Sequence, residues 1–146
     1  MDRLRASLKQ KGYDESWISA RLRSIVVREE LTDQWKERGI KNQEFAALTN
    51  QIMKGTFDLS VQEYKVLKGL VKQNLRDHMS TLELVYTILA EETTKQLAIK
   101  QDAQGYEENK AVAERASKIA GESRERFEQK TGLKVVTTNN FLKKGK

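Results

Sequence analysis

The chain has 146 residues and a formal net charge of +6; 38% of it is hydrophobic, 33% is charged, and it contains no proline and no cysteine. That length is enough for one domain with a real core, and the high charge suits helices with wide solvated faces better than a sandwich or a doubly wound sheet. Without cysteine there are no disulfides, thiolate nucleophiles or cysteine-based zinc sites, which fits a reducing cytoplasm.

Residues 1–12 are polar and charged, with no apolar signal core. They suggest a short helix carrying Leu4 and Leu8 on one side and stopped by Gly12. Asp14 then precedes a helical pattern running to about Arg38, with Gly39 placed to end it. Its apolar residues fall on two stripes: Ile18, Leu22 and Ile25 on one, and Ala20, Val27, Leu31 and Trp35 on the other. The reading is one helix with two neighbours. Asn42 is positioned to cap a third helix over 43–54, with Phe45, Leu48, Thr49 and Ile52 at helical spacing and Gly55 at its end.

Two capping boxes follow. Ser60 with Glu63, and Ser80 with Glu83, have the spacing at which each partner satisfies an otherwise unpaired amide. Leu59 with Tyr64, and Met79 with Leu84, stand in the positions of hydrophobic staples. The first box opens a helix expected to turn Tyr64, Leu67 and Leu70 or Val71 inward and to end near Gln73. The second opens a helix to about Lys100. Between Leu82 and Ala90 only Glu83 and Thr87 are polar, so this stretch is expected to be enclosed by neighbours. Residues 102–105 read as a turn, and 106–130 as the cleanest amphipathic pattern, much of its apolar stripe being alanine.

The expected fold is all-α: a compact bundle of five or six helices around a central helix near 81–100, with the long amphipathic helix near 106–130 packed along it. Residues 1–132 are expected to form a single helical domain and 133–146 a basic, flexible C-terminal tail. Five lysines and no acid lie between Lys130 and Lys146, so removing their charge from +6 leaves +1 for the rest. No apolar run approaches a membrane span.

Two basic sets stand out. Arg21, Arg23 and Arg28 lie in the second helix, Arg21 and Arg28 sharing a face near Trp17; Lys65, Lys68, Lys72 and Arg76 recur at helical spacing. Guanidinium beside indole suits a nucleic-acid strand, and a basic stripe suits phosphates. The plainer reading is ion pairing with Glu29, Glu30 or Asp33. The only histidine, His78, follows Asp77 and invites an acid–base or metal reading with Glu83, Glu91 and Glu92. Adjacent side chains diverge on most backbones, however, and there is no HExxH, second histidine or glycine-rich phosphate loop. The reading therefore assigns no catalytic residue, metal or cofactor. The expected contacts with a nucleic acid or partner are Arg21, Arg23, Arg28, Lys68, Lys72, Arg76 and His78.

Several runs also carry a family resemblance. They are Gly12-Tyr13-Asp14-Glu15-Ser16-Trp17-Ile18 with Arg21-Leu22-Arg23, Glu30-Leu31-Thr32-Asp33-Gln34-Trp35 with Arg38-Gly39, and Leu48-Thr49-Asn50. Further along come Thr56-Phe57, Tyr64-Lys65, Lys68-Gly69-Leu70, Asn74-Leu75-Arg76-Asp77-His78-Met79 with Leu82-Glu83-Leu84, and Ala90-Glu91. Asp102-Ala103-Gln104-Gly105-Tyr106-Glu107-Glu108-Asn109 and Thr131-Gly132 with Val135-Val136 complete the set. In order and spacing these resemble the C-terminal region of the DNA-damage-inducible protein D family of Bro-N-containing bacterial and phage proteins. The family's N-terminal Bro-N module has no counterpart in these residues, so its DNA binding is not carried over.

The resemblance implies a cytoplasmic, non-enzymatic module of the DNA-damage (SOS) response that binds a RecA-type recombination filament, DNA, or both. Two alternatives are a phage or plasmid counter-defence protein that binds a host enzyme, and a metal-dependent nuclease using Asp77, His78 and nearby glutamates. A homodimer through the alanine face of 106–130 is a further option.

Overall fold

The computed structural model describes residues 1–140. It is all-helical: α1 (Asp2–Gln10), α2 (Glu15–Glu37), α3 (Phe45–Phe57), α4 (Val61–Leu67), α5 (Thr81–Gln101) and α6 (Gly105–Thr131), with 3-10 turns at Asn42–Glu44 and Leu75–His78. Three long helices carry the bundle. α5 lies between α2 and α6, and α3 packs on α6 from another side. None of these helices is long and apolar enough to cross a membrane.

The helix starts follow the sequence chemistry. The Asp14 side chain accepts from the Trp17 amide at 2.8 Å. Ser60 with Glu63, and Ser80 with Glu83, each form the reciprocal pair of bonds of a capping box. α2 is one unbroken helix. Trp17, Ile18 and Leu22 enter one apolar cluster with Tyr64, Met79 and Leu84, whereas Leu31 and Trp35 enter a second with Leu48, Ile52 and Ala113.

Several boundaries differ from the sequence reading, each for a physical reason. α3 starts at Phe45, because Glu44 accepts the Lys41 amide at 2.8 Å and the chain first makes a 3-10 turn; Asn42 is not its cap. Gly55 does not end α3 but lies inside it. A Cβ there would stand 2.0 Å from Ser117 Oγ, and one on Gly121 would stand 2.1 Å from the Gly55 carbonyl oxygen. The two glycines let α3 and α6 approach backbone to backbone. α3 thus covers the Ser117–Gly121 side of α6, and Ala113, Ala116 and Ala120 are buried within the chain, so that face is not a dimer surface.

α4 ends at Leu67, where Gly69 (φ +72°) turns the chain. Leu70 is buried, but Leu67 and Val71 are exposed. Val135 is buried against the first cluster and its amide donates to Glu128 at 2.9 Å, so the segment 133–139 packs back on the bundle instead of leaving it there as a tail. Lys143, Lys144 and Lys146 lie outside the described residues.

α5 departs most from expectation. Val85 and Leu89 are 47% and 38% exposed, while Glu83, Thr87, Glu91 and Thr94 are buried. The central helix turns a polar stripe inward.

Candidate polyanion-binding cleft

That polar stripe holds two buried carboxylates, and the surroundings of each are built by the segment between α4 and α5. This segment is tied to α2 at two points. The Trp17 indole donates to the Met79 carbonyl at 2.8 Å, and Arg21 Nε donates to Asp77 at 2.8 Å. Leu70 and Leu75 anchor it to the core, and the Asn74 side chain caps its 3-10 turn by accepting from the Arg76 amide at 3.0 Å.

Glu91 has both oxygens occupied. Arg76 grips it with two parallel bonds, Nη1 to Oε1 at 2.7 Å and Nη2 to Oε2 at 2.6 Å. Arg28 adds Nη1 to Oε2 at 3.1 Å and sends Nη2 to the Thr49 hydroxyl at 2.7 Å. Arg28 also lies over the Trp35 ring, 5.2 Å from its centroid; the indole it meets is Trp35 and not Trp17. Burial disfavours the charge on Glu91, but the two guanidiniums outweigh it and hold the carboxyl below its ordinary value. Burial also opposes the charge on Arg76, whose pKa Glu91 nevertheless raises; at Arg28 burial prevails and the pKa falls.

Arg28 and Arg76 form the floor of a cleft of about 320 Å³ between α2, α3 and the 68–76 segment. Lys65, Lys72 and Asn74 stand along its wall, with Met53, Val61 and Leu75 supplying apolar surface. A second cleft of about 250 Å³ shares Arg28, Asn74 and Arg76 and continues to Arg21, Ser24 and Glu29 on α2. Around the joined groove, five cations (Arg21, Arg28, Lys65, Lys72, Arg76) meet three carboxylates (Asp77, Glu91, Glu29), and two of those carboxylates are committed to arginines. Among the described residues, Lys65 and Lys72 have no carboxylate within ion-pair distance.

Glu83 sits in a closed pocket. It accepts from the Tyr64 hydroxyl in a short hydrogen bond, from Lys68 Nζ at 2.9 Å and from the Ser80 amide at 2.8 Å. Lys68 also donates to the Thr137 and Asn139 carbonyls, at 3.1 and 2.6 Å, so the C-terminal segment lies over this pair. Burial, with the carboxylate beside it, pushes the Tyr64 hydroxyl far above its usual range.

The seven expected contact residues therefore part company. Arg21, Arg28, Lys72 and Arg76 line the joined groove. Lys68 is buried beneath the C-terminal segment. His78 is buried too, its Nδ1 paired with the Asn140 side chain. Arg23 is exposed on the side of α2 whose field reaches Glu92. Asp77 and His78 turn to different partners, and among the described residues no group of three or more metal-ligating side chains is assembled. The basic stripe is not a helix face, since α4 stops before Lys68; chain reversal brings Lys65, Lys72 and Arg76 to one cleft. Among the cations that line these clefts, Lys65 is the one that the expected contacts omit.

No protein-family model matches the chain, and no curated protein or solved structure is significantly similar to it.

Proposed function

We propose that the chain is a non-enzymatic, cytoplasmic interaction module of the DNA-damage response, binding DNA, or a recombination filament formed on DNA, through the cleft between α2 and the 68–76 segment. The observation that carries this reading is the pair Lys65 and Lys72, without carboxylate partners among the described residues, in a cleft that two arginines also line. The resemblance to the DNA-damage-inducible protein D family supplies the biological setting. Cations that hold phosphates release condensed counterions, so binding should weaken steeply as salt rises. The test measures affinity for single- and double-stranded DNA and for RecA–DNA filaments from about 50 to about 200 mM salt. Binding at low salt that fades across this range supports the reading; no binding to any of the three at low salt contradicts it.

A second reading is a partner protein, such as a host enzyme. It draws on Val66 and Val71, 66% and 76% exposed beside those lysines. Co-purification of a host protein that survives nuclease treatment would favour it.

A further inference from the structure

We propose that the joined groove is a track for a single polynucleotide strand, DNA or RNA, and not a seat for duplex; this rests on the polyanion reading above and narrows it. The shape argues first. The site is concave, two partly open clefts of about 320 and 250 Å³ that share Arg28, Asn74 and Arg76. A duplex presents its phosphates on a convex rod and is read by convex elements that enter its grooves, the wider of which is about 12 Å across. One cleft lies at the small end of ligand-pocket sizes, about 300–1,000 Å³, and the other just below it, so each has room for about one nucleotide unit.

The chemistry agrees. Lys65 and Lys72 line one cleft, Arg21 and Ser24 the other, and Arg28, Asn74 and Arg76 line both, a spread of cations over adjacent clefts that suits a charged backbone better than a lone anion. Glu91 is fully buried and both its oxygens are engaged by guanidiniums, so it does not line either cleft. Met53, Val61 and Leu75 offer aliphatic surface to a sugar or base, and among the described residues no aromatic ring lines either cleft. Phosphate contacts therefore carry the binding, with little base preference and a strong dependence on salt. Glu29, at the far end, is the carboxylate that limits the track.

The test is fluorescence anisotropy with a labelled oligothymidylate, a labelled oligouridylate and a labelled hairpin duplex, across salt, on the full chain. The proposal predicts that both single strands bind about tenfold or more tighter than the duplex. In a Lys65→Gln/Lys72→Gln variant, the slope of log affinity against log salt should fall by about 1.4, at about 0.7 per lost phosphate contact on a single strand. The melting temperature should stay unchanged, which separates lost contact from lost fold. Duplex binding that equals or exceeds strand binding overturns the strand track and leaves polyanion binding standing. Polyglutamate displacing the strands as well as unlabelled oligonucleotide does overturns it too. Absence of binding to all three nucleic acids overturns the strand track, and it overturns the polyanion reading as well when RecA–DNA filaments also fail to bind.

Discussion

Glu83 and Glu91 occupy the same helix, eight positions and roughly 12 Å apart at about 1.5 Å per residue, and both are fully buried. Their partners make them opposites. Glu83 is answered by one lysine, one tyrosine and one backbone amide, and the chain beyond α6 closes over that lysine. Glu91 is answered by two arginines, one carboxylate for two cations, under an open cleft. The closed site has balanced its charge and has donors engaged by its own carbonyls. The open site keeps an excess of positive charge where a ligand can reach it. Buried charge by itself says little about function; the balance of charge and the access of solvent say more.

Substitutions at the closed site should cost the most stability. Lys68→Met leaves Glu83 buried without its counter-charge and should cost about 3–5 kcal/mol, read by urea denaturation. Adding Glu83→Gln should recover much of that loss; if it does not, the pair is not what Lys68 contributes. At the open end the effect should be smaller. Arg28→Ala leaves Glu91 paired with Arg76 and should cost about 1–3 kcal/mol, while weakening polyanion binding, which Lys68→Met should affect only through folding.

The acid limb of stability sharpens the contrast. Glu91 titrates below its unfolded value in the folded state, so the stability it contributes is complete above about pH 4.3 and is lost as pH falls through the lowered folded value. Urea midpoints should decline below that pH, and the decline should be shallower in Arg28→Ala, where one guanidinium no longer depresses the carboxyl. The smallest effect on stability is expected from Lys65→Gln/Lys72→Gln, within about 0.5 kcal/mol, since neither side chain has an ion pair to lose among the described residues.

Much of the fold was legible because its signals are local. Asp14, Ser60 and Ser80 each cap the helix that follows through side-chain chemistry written within a few residues. The alanine stripe of α6 announced close packing, and α3 supplies the neighbour. What failed depended on distant partners. Gly55 has a stop signal's appearance, yet its role is set by Ser117 and Gly121, more than 60 positions away. The polarity of α5 misled because Glu83 and Glu91 are tolerated inside only by Lys68, Arg28 and Arg76, which periodicity does not reveal. For the same reason, the basic residues could be picked out but not sorted. Helical spacing grouped Lys68 with Lys72, and the turn at Gly69 sends one inward and the other to the cleft.

The most direct test of this division is amide chemical-shift mapping during titration with a short single-stranded oligonucleotide. Shifts concentrated at Arg28, Lys65, Lys72, Asn74 and Arg76, with Lys68 and Glu83 unmoved, are the expected result. Shifts centred on the Lys68–Glu83 pocket, or on the outer face of α6 with the cleft silent, would contradict it.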